Sequence, residues 1–260
     1  MHIAIKYIKH YITSRGPKGY GIHSPSLFKL VTGVIHDFTP FYCYAKIEAE
    51  RNKLLTSNKQ IEITELGTGS KVHKGNTRLI SSIAKYSLKP LKQAQLLFRL
   101  INHFNFKNIL EIGTSLGITT SYLARVNSKA KVITLEGCIE QLNIAKSVFK
   151  NLELNNITPI QGSFNETLTQ ALSKFDQLDF VFFDGNHTKD ASIAYFELCL
   201  PLAHNDSMFV FDDIHLNPEM EEFWNELKLR PEVKVTLDLF HLGIVFFRKQ
   251  LTKENFNIRF

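Results

Sequence analysis

The chain has 260 residues, 44% of them hydrophobic and 22% charged, enough apolar material for a substantial core and no composition of a disordered segment. Its net charge of +6 hides an asymmetry: residues 1–108 carry 17 Lys and Arg against 5 Asp and Glu, and residues 109–260 carry 14 against 20. Three scattered cysteines, Cys43, Cys138 and Cys199, argue against a structural zinc site and fit a reducing cytoplasm.

Met1 to Thr13 reads as a short amphipathic helix, with Ile3, Tyr7 and Tyr11 on one side and Lys6, Lys9 and His10 interspersed. No secretion-signal pattern or run of 18 apolar residues occurs, so the expectation is a soluble, cytoplasmic protein. Such a helix packs onto the main domain or onto a second subunit, which hints at a homodimer; an anionic membrane surface is the secondary fate. Arg15 to Pro25 is a Gly- and Pro-broken hinge, and Ser24 is placed to cap a helix over Pro25 to His36.

Ile63 to Ser70 looks like a strand opening a glycine loop, but no second strand ending in an acid follows at the right distance. Basic residues follow instead: Lys71, Lys74, Arg78 and Lys85. They read equally well as a loop folded over an active site, meeting an anionic substrate or part of the cofactor, and as a solvated charged face. Residues 1–90 are therefore expected to form a basic, mostly helical extension or lid, and residues 91–260 the main domain.

A helix over Pro90 to His103 leads into the most informative stretch, Ile109 to Gly117. There an apolar strand runs into a turn holding Gly113 and Gly117, and then into a helix over Thr119 to Val126. Only two glycines stand where a dinucleotide fingerprint has three, so a diphosphate is not called for. Val132 to Glu136 reads as a second strand ending in an acid 23 positions past Gly113, where a ribose-binding carboxylate belongs. Two further buried strands end in acids, at Asp184 and at the pair Asp212 and Asp213. In an open α/β sheet such strand exits converge on one crevice, and clustered carboxylates suit Mg2+ or another divalent cation. The competing reading is that each Asp caps the helix after it.

Helices over Glu140–Leu152, Asn165–Lys174, Asp190–Leu200 and Pro218–Leu229 alternate with the strands, and Val233–Phe240 with Gly243–Arg248 reads as a terminal hairpin. The fold class is α/β: a doubly wound, mostly parallel seven-stranded sheet with an antiparallel C-terminal edge hairpin and a helical N-terminal extension.

Leu110 through Thr119 resembles the first cofactor motif of the class I S-adenosylmethionine (SAM)-dependent methyltransferases, within them the metal-dependent small-molecule O-methyltransferases of the catechol and macrolide-sugar type. The resemblance spans residues 91 to 248. It implies a Rossmann-like fold, SAM as cofactor, and Glu111, Gly113, Thr114, Ser115, Gly117 and Thr119 in the cofactor loop. It further implies Glu136 on the ribose, and Gly162, Ser163 and Phe164, after the short strand Ile157–Ile160, against adenine. Asp184, Asp212 and Asp213 match the family's metal ligands, Asp184 also lying beside the cofactor. His187 stands three positions after Asp184, where sugar-type relatives have His and catechol enzymes Lys. A neutral imidazole there can take the proton of the attacking hydroxyl. His215 stays open between support of a ligand, substrate contact and bystander. No Cys carries a nucleophile signature and no Asn-Pro-Pro-Tyr motif occurs, so the favoured acceptor is an oxygen of a small molecule, an anionic or glycosidic one included. The alternatives are an RNA methyltransferase using the basic N-terminal region, and a non-catalytic cofactor-binding protein.

Overall fold

A parallel strand covered on both faces needs apolar side chains on both, and the runs read from the sequence meet that demand. In the computed structural model, which describes residues 3–64 and 77–260, the chain begins with α1 (Ile3–Thr13) and α2 (Pro25–Leu30), the latter running into a π-helical turn over Val31–Ile35. Next come α3 (Tyr44–Leu55), β1 (Gln60–Glu62), β2 (Thr77–Leu79), α4 (Ile80–Ser87) and α5 (Leu91–Phe104). The alternating section follows as β3 (Asn108–Ile112), α6 (Ile118–Arg125), β4 (Lys131–Glu136), α7 (Ile139–Asn151), β5 (Ile157–Gln161) and α8 (Phe164–Leu172). It continues as β6 (Leu178–Phe183), α9 (Lys189–Cys199), β7 (Ala203–Asp212), α10 (Pro218–Leu229), β8 (Val235–Asp238), β9 (Leu242–Phe246) and β10 (Glu254–Asn257). The architecture is α/β, mostly parallel, with antiparallel strands at the edge. No helix among the described residues is long and apolar enough to cross a membrane.

Contacts divide the chain into two compact units, residues 39–176 and residues 1–38 with 177–260. The first 90 residues are thus shared between the units: α1 and α2 belong with the later strands, and α3 to α4 with the cofactor-motif strands. The glycine loop 65–70 and the basic residues Lys71 and Lys74 lie outside the described residues.

In unit 39–176, β3, β4 and β5 are parallel neighbours, with Ile112 beside Leu135 and Glu136 beside Gln161. Ile109, Leu110 and Ile112 are fully buried. Helix α5 stops because Asn105 takes the left-handed conformation, which ends the intrahelical ladder.

In the other unit the order is β10-β8-β9-β7-β6. Every residue of β6 is buried, and the stacked rings of Phe183 and Phe211 join it to β7 at 4.2 Å between centroids. The expected hairpin is β8 and β9, but an additional strand, β10, pairs parallel to β8 beyond it. Four residues with one buried side chain, Phe256, leave little trace in a sequence. Ser24 stands at the N-cap of α2, yet its hydroxyl pairs with Ser26 and makes no cap. The indole of Trp224 lies so close over β9 that a Cβ at Gly243 would come within 2.6 Å of it. Gly243→Ala is expected to cost roughly 1–3 kcal/mol through overpacking; urea denaturation measures it, and an unchanged midpoint would contradict this packing.

Candidate active site

In the first unit, the carboxyl ends of β3, β4 and β5 carry the loops in which the cofactor motif was read. Glu111 is wholly buried and accepts hydrogen bonds from the hydroxyls of Thr120 on α6 and Thr134 on β4. That joins the strand before the glycine turn to the helix after it. Thr114 extends the lock, its hydroxyl lying 2.6 Å from that of Thr134 while donating to the Leu135 carbonyl. Ser115 is left-handed (φ 49°) and gives its N–H to Glu136 Oε2 at 2.8 Å; its hydroxyl is buried with no partner among the described residues. Glu136 Oε1 accepts the N–H of Cys138 at 2.9 Å. One carboxylate therefore fixes both loops.

Gly117 has φ 82°, and a Cβ there would meet Phe149 at 2.7 Å and Ala145 at 2.8 Å, so only glycine lets α6 begin against α7. Thr119 is buried in the first turn of α6. Gly113 and Gly162 also hold positive φ, at 106° and 143°. Ser163 precedes α8, its carbonyl accepting from the N–H groups of Glu166 and Thr167, and Phe164 opens the helix.

In the second unit, parallel pairing sets Phe183 beside Phe211, so Asp184 and Asp212 leave neighbouring strands together. Ligand atoms of Asp184, His187 and Asp212 all lie within 4.8 Å of one another. Asp212 is 1% exposed. His187 reaches the group through a turn in which Asn186 and His187 are both left-handed (φ 68° and 28°), and its Nε2 stands 3.6 Å from Asp184 Oδ1. Asn217 steadies the turn: its amide donates to the His187 carbonyl, and its Oδ1 caps α10 by accepting the Met220 N–H. Asp213 is outside the group. It is left-handed at φ 53°, with its N–H on the His241 carbonyl.

His215 belongs to another cluster. Its Nε2 donates to Asp238 Oδ2 at 2.8 Å and its ring stacks on Phe240. Burial alone would lower its pKa, but hydrogen bonds and charge from Asp238 and Glu221 outweigh burial and raise it. Asp238 also takes the Trp224 indole N–H and the Phe240 N–H, and lies 3.0 Å from His10 Nε2. Burial would raise the Asp238 pKa, yet those donors hold it well below the usual carboxylate range. Neither His10 nor Asp238 was singled out from the sequence; an acid inside the apolar run Val233–Phe240 was the available signal.

Parallel strands with glycine-turned loops at their carboxyl ends define a nucleotide-cradling α/β fold. Residues 110–214 match a family model described as a methyltransferase domain. No curated protein matches the chain. Among solved structures it is similar to the S-adenosylhomocysteine (SAH)-bound methyltransferase PaMTH1 of Podospora anserina, at 16% identity and TM-score 0.59, over 80% of this chain and 88% of that one. It is also similar to an O-methyltransferase from Bacillus cereus in complex with SAH, at 20% identity and TM-score 0.55, over 80% and 92% of the two chains. A third is the SAM-bound O-methyltransferase TomG of Streptomyces achromogenes, involved in tomaymycin synthesis, at 17% identity and TM-score 0.56, over 80% and 91%. Residues 110–214 thus carry a methyltransferase domain, and the fold is shared with SAM- and SAH-bound methyltransferases.

Proposed function

We propose that the protein is an O-methyltransferase that methylates a hydroxyl of a small molecule with the help of a divalent cation. The observation that carries this reading is the convergence of Asp184, His187 and Asp212 at the ends of two adjacent parallel strands. The cofactor would lie along Gly113, Thr114, Ser115, Gly117 and Thr119, its ribose on Glu136 and its adenine against Gly162, Ser163 and Phe164. The buried, unpartnered Ser115 hydroxyl and the close-packed Gly117 fit a bound nucleoside there.

Two carboxylates beside an imidazole are a donor set for a hard or borderline divalent ion, and such an ion supplies Lewis acidity toward a hydroxyl. Asp184 and Asp212 would hold it. His187 would orient the acceptor and take its proton at Nε2, the turn around Asn186 and the Asn217 amide keeping the ring in place. A second reading has specific support: His187 stands within the group and Asp213 does not, so His187 would serve as the third ligand.

Transfer of labelled methyl from SAM to a panel of catechol and sugar acceptors tests the function, with and without EDTA. Asp212→Asn is expected to lower turnover about a hundredfold or more, and so is His187→Ala. Mn2+ calorimetry separates the two roles of His187. If it is the base, Mn2+ affinity survives His187→Ala; if it is a ligand, affinity falls with it. Full activity in both variants, or indifference to EDTA, would overturn the metal-assisted mechanism.

A further inference from the structure

The His10–Asp238–His215 cluster forms one wall of a cavity of about 310 Å³, whose other walls are supplied by α1 and α10. Its charges are unevenly matched. Lys6 pairs with Glu221 at 2.7 Å, and Asp238 is taken by the two imidazoles and the indole. Lys9 and Lys228 also line the cavity, and neither has an ion-pair partner among the described residues. The Lys228 ammonium stands 5.9 Å over the Trp224 ring, half buried, and desolvation lowers its pKa. Asn225 and Asn257 add amide groups on the same lining. Two ammonium groups outside any ion pair on a concave, polar wall, Lys9 exposed and Lys228 half buried within reach of the Asp238 charge, are an arrangement that binds an anion.

We propose that this cavity is a binding site for a phosphate group, held by Lys9 and Lys228 and flanked by His10. It is separate from the Asp184–His187–Asp212 group and independent of the metal-assisted reading. Phosphate is favoured over a single carboxylate because its additional acceptor oxygens can meet both ammonium groups at once. The group can arrive on a soluble phosphate ester or on a lipid. The lipid source has a structural argument of its own, since Ile5, Ile8 and Ile12 of α1 are 55%, 56% and 70% exposed at helical spacing on the element that carries Lys9.

The test uses the full chain and inorganic phosphate, titrated at constant ionic strength and followed by amide NMR shifts. Saturable shifts in residues 6–13 and 225–228 are expected, with affinity about tenfold weaker or more in a Lys9→Met, Lys228→Met double variant. Methionine keeps the apolar stem over Trp224, and near-UV circular dichroism checks that the double variant is folded. Restoration of binding by Lys9→Arg, Lys228→Arg would support a charge-borne site. Unsaturable shifts, or equal affinity in the neutralised variant, would overturn it. In a second arm, phosphatidylcholine vesicles with and without phosphatidic acid are sedimented with the protein. Sedimentation that needs phosphatidic acid and both lysines assigns the phosphate to a lipid. Phosphate binding without sedimentation assigns it to a soluble ester. Sedimentation that survives the double substitution overturns the site.

Discussion

Gly117→Ala is expected to destabilise the protein by roughly 2–5 kcal/mol and to weaken SAH binding at least tenfold. Two costs add. A Cβ in the left-handed conformation at φ 82° costs about 1–2 kcal/mol, and forcing it between Phe149 and Ala145 costs roughly 1–3 kcal/mol more. The second cost is partly reversible, because Phe149 is a side chain that can be trimmed, whereas the first is fixed by the backbone. Adding Phe149→Leu should therefore recover part of the lost stability and leave the rest. In the proposed cofactor site affinity suffers as well, because α6 begins at this residue: moving its first turn shifts Ser115 and Thr119, on either side of the glycine. Urea denaturation and SAH calorimetry on the single and double variants measure both effects. Wild-type stability in Gly117→Ala would mean that α6 does not start where the structure places it.

The parts that were legible in the sequence are those in which one physical demand acts on consecutive residues. Leu178–Phe183 reads as a buried parallel strand because five of its six residues are apolar, Asp179 being the exception, and all six are buried. The glycine turn was legible because Gly117 answers two local demands at once, a positive φ and a close helix. Glu136 was read as a ribose ligand, and the structure adds a local role: it accepts two loop N–H groups.

Elsewhere the controlling contacts join residues far apart. Arg15 bridges to Ile258 and its N–H reaches the Asn257 carbonyl, so the early helices belong with the late strands, a grouping that a boundary drawn along the chain at residue 90 could not express. Strand β10 likewise forms through a distant partner, pairing parallel with β8. The aspartate pair shows a geometric rule. Successive strand residues face opposite ways, and the chain turns left-handed at Asp213, so only Asp212 joins Asp184, with His187 brought in by the next turn. His10 and Asp238, 228 positions apart, meet only in three dimensions.

Asp238→Asn is expected to cost roughly 3–5 kcal/mol, the range for removing one member of a buried charge cluster. The carboxylate is 4% exposed, and its partners cannot all be served by an amide, which offers one acceptor oxygen. His10, His215 and the Trp224 N–H all converge on it. The pH dependence follows from the directions of the shifts. The folded pKa of Asp238 is depressed, so its contribution is present above its unfolded value, near 4, and is lost as pH falls through the folded pKa. Glu221 acts in the same sense: burial opposes the shift, but Lys6 and His215 outweigh it and lower its pKa. His215 has a raised folded pKa, so its contribution is complete below about pH 6.5 and is lost as pH rises through the folded value. Stability from this cluster should therefore be greatest between about pH 4 and 6.5 and decline on both sides. Lys6 and Lys228 face the same groups. In Asp238→Asn the alkaline decline should flatten, since His215 loses its principal anion, and the acid limb should shrink to the share of Glu221. Urea midpoints measured from pH 3 to 9 on both proteins test this; parallel curves would mean that Asp238 and His215 are not coupled.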